Sequence, residues 1–230
     1  MSFIINPYLQ YSAIPAIILS QQIRSGANPG SSVSLNVSYT LNLLRVIIVH
    51  WRFTNPVTLT SVTVSGYSMN IITQQNVIQG ATGCGIALCT FRWPLTSATV
   101  STTFNFNGNT SSVGVATYSI FRNTSDTPYS VSTTTKDTSV NTKAISIPVV
   151  PKSLNIIACS SLISGSVTFS NSAPPTLDPG YNLGVPQTSS QFQMAGRSIN
   201  NGSSSVDYSG EIVTVTSSLA SAAYATITFI

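Results

Sequence analysis

The residues able to do acid–base, nucleophilic or metal chemistry are few. The chain has one histidine, His50, five acids and three cysteines. His50 sits in the apolar, β-branched run Val46–Phe53. A lone imidazole there reads as a core residue, and no G-x-S-x-G elbow accompanies it. Gly83-Cys84-Gly85 offers a thiol without an obvious base, and its glycines read as a bulge. Cys84, Cys89 and Cys159 read as buried free thiols; Cys84 and Cys89 fall on opposite faces of a continuous strand. With no CxxC and a single histidine, zinc is not expected.

The acids are Asp126, Asp137, Asp178, Asp207 and Glu211. Asp207 and Glu211 would share a strand face about 13 Å apart, which is too far for a glycosidase pair. All five read as turn and surface residues. Clustered oxygen ligands for calcium, a phosphate-cradling P-loop and a dinucleotide glycine fingerprint do not occur. No catalytic, cofactor-binding or metal site is therefore expected, and the chain reads as no enzyme.

The elements that would position any site are strands. Of 230 residues 42% are hydrophobic and only 6% charged, against roughly 25% charged in an ordinary domain. The difference is uncharged and polar: 38 Ser and 28 Thr. This composition excludes a disordered chain or a coiled coil. The net charge of +4 comes from basic residues that are scattered, with no two adjacent. Phosphate neutralisation needs a cluster, so nucleic acid is not an expected partner. No run of about 18 apolar residues exists to cross a membrane. No Lys or Arg precedes the apolar stretch Ile14–Leu19, so a secretory signal is not expected.

Val33, Leu35, Val37 and Tyr39 alternate with polar residues, a half-buried strand. Leu43–Phe53 is apolar enough to be covered on both faces. Further strands are expected at Thr58–Val64, Met69–Ile78, Gly85–Trp93, Ala98–Phe106, Val113–Phe121, Ala144–Val149, Leu154–Cys159, Ser166–Phe169, Phe192–Ile199, Glu211–Thr216 and Ala222–Phe229. Asn107-Gly108-Asn109 reads as a turn, and Ser172–Gln187, with four prolines, as a loop. The expectation is an all-β, antiparallel sandwich, jelly-roll or Ig-like, over residues 31–230. Residues 1–30 read as an extended N-terminal arm whose Phe3, Ile4, Ile5, Tyr8, Tyr11, Ile17 and Ile18 would anchor it to a neighbour. Tyr181 and Trp93 are candidate surface-loop contacts.

The order of strands carries a resemblance. Thr99–Phe106 and Val113–Phe121 are followed by a Ser/Thr-rich segment. Ile145–Pro151, Leu154–Cys159 and Val167–Ser170 come next, then a proline loop and Ala222–Thr226. With the opening Met1–Tyr8, this resembles β-sandwich virion structural proteins of tailed bacteriophages, over roughly residues 57–230 plus the first eight. The resemblance carries no catalytic residues. It implies a virion location and a capsid-decoration, minor structural or tail-associated subunit. Its partners would be other capsid or tail proteins and further copies of itself, with no cofactor. A charge-poor β surface fits such an assembled life, because it offers little defence against edge pairing. The alternative is a receptor- or glycan-binding fibre or spike module, with a host surface glycan as partner. A jelly-roll capsid shell subunit ranks below both, since the arm has only Arg24 as a basic residue.

Overall fold

The computed structural model describes residues 16–24, 30–121, 126–136, 141–149, 153–162, 167–171, 176–177, 181–185, 192–200, 208–216 and 221–230. In these the chain is all-β and antiparallel, without a helix. In chain order the strands are β1 Ala16–Arg24, β2 Gly30–Tyr39, β3 Leu44–Phe53, β4 Leu59–Val64, β5 Tyr67–Ser68 and β6 Asn70–Gln79. Next come β7 Thr82–Arg92, β8 Ala98–Thr110, β9 Ser112–Phe121, β10 Ser130–Lys136, β11 Thr142–Val149 and β12 Leu154–Ser161. The last six are β13 Thr168–Asn171, β14 Thr176–Leu177, β15 Tyr181–Val185, β16 Phe192–Asn200, β17 Tyr208–Thr216 and β18 Ala222–Phe229.

Four sheets result. The central one runs β1-β9-β3-β7-β6. Every residue of β3 is buried, as the near-continuous apolar run requires of a strand covered on both faces. On one face of this sheet lies β2-β8-β4-β5, joined by a core of Ile47, Val49, Trp51, Phe53, Val37 and Phe104. On the other lies β10-β18-β12-β16-β14, with β15 also on β16. That core holds Val46, Ile48, Ile86, Ile156, Ala225 and Ile227. The fourth sheet, β11-β17-β13, packs against β18 through β11. Strands β12 and β18 are buried at every position, so both their faces are covered.

Turn chemistry sets two hairpins. Ser65 and Gly66 both have positive φ between β4 and β5, the two-residue geometry whose twist matches the flanking strands. Gly80, at φ +61°, opens the two-residue link from β6 to β7.

Several expectations need correction. The Asn107-Gly108-Asn109 turn is strand: β8 continues to Thr110, and the chain reverses at Ser111. Asn107 is held there by two bonds to Thr58, its N–H donating to the Thr58 carbonyl and its Oδ1 accepting from the Thr58 N–H. The expected 172–187 loop contains β14 and β15, both paired to β16. Strand β10, in the Ser/Thr-rich segment, was not expected at all. Of the 1–30 arm, residues 16–24 are β1, paired antiparallel with β9 with a register shift between Leu19 and Gln21. Ile17 and Ile18 stand opposite Ile120 and Ser119 there. Phe3, Ile4, Ile5, Tyr8 and Tyr11 lie outside the described residues.

Candidate functional site

His50 is buried on β3 and faces the β12 strand. Its Nδ1 lies 2.7 Å from Ser160 Oγ, and Ser160 Oγ donates to the Gly85 carbonyl at 2.9 Å. With the serine proton committed to Gly85, His50 Nδ1 is the donor to Ser160. That is the reverse of the polarity a Ser–His nucleophile needs. Burial also pushes the imidazole pKa down to about 3, because an apolar surround disfavours the charged form. The pair joins two sheets, and neither group is exposed to solvent.

The thiols are equally enclosed. Cys84, Cys89 and Cys159 are free and buried. Burial raises all three, Cys84 and Cys89 to about 12. Cys84 belongs to one core and Cys89 to the other, as their odd spacing along a strand dictates. Glycines 83 and 85 mark no bulge, since β7 pairs with β3 in unbroken register there. They make room for aromatic rings. A Cβ on Gly85 would lie 2.2 Å from Trp51 Cε2, and one on Gly83 2.1 Å from Phe53 Cε2.

Among the described residues three cations are also inside: Arg45, Arg52 and Lys136. The Arg45 guanidinium donates to Ser119 Oγ and, at 3.1 Å, to Thr40 Oγ1. For Arg45 and Arg52 a charge inside an apolar run is the sequence signal; Lys136 follows a Ser/Thr run and has none.

What reaches solvent lies elsewhere. Trp93 does not: it is 1% exposed, stacked on Tyr39 with centroids 4.8 Å apart, and its indole N–H donates to the Thr96 carbonyl. The candidate surface contact is thus a core residue, because the β2 and β7 ends close over it. Tyr181 begins β15, opposite Gly196. Around Trp93 the molecule exposes Tyr67, whose ring also packs on Phe91, and Leu41 and Leu95.

A groove of about 240 Å³ opens by these residues, lined by Ser68, Asn70, Thr90 and Phe91 together with Arg92 and Asp126. Arg92 Nε and Nη2 both donate to Asp126 Oδ1, at 2.8 and 2.6 Å, and Nη1 donates to the Asn42 carbonyl at 2.7 Å. Thr90 is 1% exposed, and its hydroxyl has no hydrogen-bond partner among the described residues.

The second accessible feature is the outer face of the β2-β8-β4-β5 sheet. Ser32 donates to Asn105, while Ser34 and Thr103, and Ser38 and Thr99, pair hydroxyl to hydroxyl across the strands. These four strands contain no Asp, Glu, Lys or Arg. Among the described residues no group of three His, Cys, Asp or Glu could hold a metal ion. No helix of the described residues is long and apolar enough to cross a membrane.

Comparison with known proteins identifies no relative: no family model, no curated protein and no solved structure matches the chain.

Proposed function

We propose that the chain is a structural subunit of a bacteriophage virion, a capsid-associated or tail-associated component that assembles through protein–protein contacts. The observation that carries this reading is the uncharged outer face of β2-β8-β4-β5, whose hydroxyls are hydrogen-bonded to one another. Charged residues on a sheet surface are a common defence against sheet-to-sheet association, and this face has none. A face already satisfied in hydrogen bonding loses little when a neighbour displaces its water. The order of strands and the Ser/Thr composition support the virion reading. The buried state of His50 and the three thiols supports a role without catalysis. Residues 1–15, with Phe3, Ile4, Ile5, Tyr8 and Tyr11, are the proposed anchoring segment; β1 belongs to the folded body.

Light scattering behind size exclusion tests this on the full chain, on a chain lacking residues 2–15, and on Ser34→Lys/Thr103→Lys. The expected result is a discrete oligomer that dissociates in the lysine variant or the deletion. A full chain that stays monomeric at high concentration would overturn the reading.

A further inference from the structure

Exposed apolar side chains gather at one end of the molecule. Among the described residues the large apolar or aromatic side chains that are exposed are Leu41, Tyr67, Ile78, Leu95, Tyr129 and Ile230. Singly such residues need no explanation, but their grouping does. Leu41 and Leu95 lie in adjoining turns, where the Leu41 N–H donates to Ser97 Oγ and the Asn42 N–H to the Trp93 carbonyl. The Tyr67 ring packs on Phe91 and Trp93, with centroids 6.1 and 6.4 Å apart. Tyr129, with Ile230 beside it, closes one end of the β10–β18 pair, and its N–H donates to the Thr228 carbonyl. Asp126, three residues earlier, accepts from Arg92 and so ties that end to the end of β7. Of these side chains Ile78 alone lies at the opposite end, beside the β6–β7 hairpin.

The N-terminal segment joins the folded body at the same end. Ala16, the first residue of β1, is paired with Phe121, and Leu44 of β3 is paired with both Ile120 and Arg92. In the order β1-β9-β3-β7, Ala16 is therefore about 14 Å across the sheet from Arg92. The residues before Ala16 include Phe3, Ile4, Ile5, Tyr8 and Tyr11, and no Asp, Glu, Lys or Arg. We infer that the apolar end of one copy is the seat for residues 1–15 of a neighbouring copy. This rests on the assembly reading above and names the receptor for its anchoring segment. A segment without charged side chains must hold by burying apolar area, which the exposed end supplies. Extended, the segment reaches about 50 Å, enough to cross between copies. Segment and seat share one end, so two copies meeting end to end can exchange segments about a two-fold axis.

The test is photo-cross-linking of the full chain, with benzoylphenylalanine in place of Leu95 and, separately, of Ile78. From position 95 the expected product is a covalent dimer on a denaturing gel. Fragmentation of its cross-linked peptide should place the bond within residues 1–15. Position 78 should give no such product. Leu41→Asp with Leu95→Asp should weaken association at least tenfold in a light-scattering dilution series. Tm should hold, because both side chains are exposed, and Ile78→Asp should change neither property. A position-95 cross-link confined to the monomer, or made to another segment, overturns the inference. So does an oligomer that gives none, or one that Ile78→Asp weakens as much; either leaves the assembly reading standing. A full chain that stays monomeric removes both.

Discussion

The two cores on either side of the central sheet are built from different materials. Toward β2-β8-β4-β5 the sheet buries aromatic rings: Trp51, Phe53, Phe104, Phe106, Tyr39 and Trp93. Toward β10-β18-β12 it buries mainly Ile and Leu with the small Ala116, Ala158, Ala223 and Ala225, and two rings, Tyr118 and Phe229. There it also encloses the polar chain from His50 through Ser160 to Gly85. The first interface is specified by shape, because Trp51 and Phe53 lie over Gly85 and Gly83 of the next strand. The second packs smoother surfaces, and a hydrogen-bonded seam fixes how they meet. A one-residue slip of β3 would send His50 into the aromatic layer and Trp51 into the alanine layer. The two devices thus hold a single register from opposite sides.

The aromatic side should break first. Gly85→Val puts side-chain atoms into the Trp51 ring, and urea titration should show a loss above about 4 kcal/mol or no cooperative unfolding. Adding Trp51→Ala to Gly85→Ala should recover part of the loss, a coupling expected of residues in contact. Trp51→Ala alone should cost about 3–5 kcal/mol. If Gly85→Val unfolds like the wild type, shape does not hold this interface.

The polar side should respond less, and to pH. Ser160→Ala leaves the His50 donor without its partner, at about 1–3 kcal/mol. The folded imidazole stays neutral down to about pH 3, whereas the unfolded one takes a proton below about 6.5. The unfolded state therefore binds more protons across that window. Stability should fall as pH drops from 6.5 toward 3, by up to about 1.4 kcal/mol per unit from this group. Thermal melts of the wild type and of His50→Phe should differ in slope over that range. Equal slopes would show that His50 is not held neutral.

Smaller effects concern the surface. Arg92→Ala removes a half-exposed ion pair and should change stability by about 1 kcal/mol or less. The native thiols should resist a disulfide reagent at pH 8, and all three should react once the chain is unfolded. Rapid labelling of any one in the native state would place it at the surface.

The strands most legible from sequence were those with a strong period. Val33 to Tyr39 alternates, and β2 buries those four residues. The β3 run reads as covered on both faces, and it is. Strand β10, Ser130–Lys136, carries a single aliphatic residue and shows no period. Its place is dictated by pairing with β18 instead. Glycine next to Cys84 looked like a backbone signal, although its cause is a ring on another strand. The His50–Ser160 contact spans 110 positions, and no local pattern reports it. Trp93 looked available because Pro94 ends its strand, yet Tyr39, far off in sequence, covers it. The groove was invisible for the same reason: Asn70, Thr90 and Asp126 come together only through pairing and closure.

The position of β18 has a consequence in time. It lies between β10 and β12 and hydrogen-bonds to both, yet it is made long after either. At about 5–20 residues per second of synthesis, β10 emerges roughly ten seconds before its partner. Until then β10 lacks the strand that joins it to the sheet, and the alanine-lined core has only part of one wall. The aromatic core needs no residue beyond β9, so it can close early on the ribosome. The nascent chain would then hold a finished half and a waiting half.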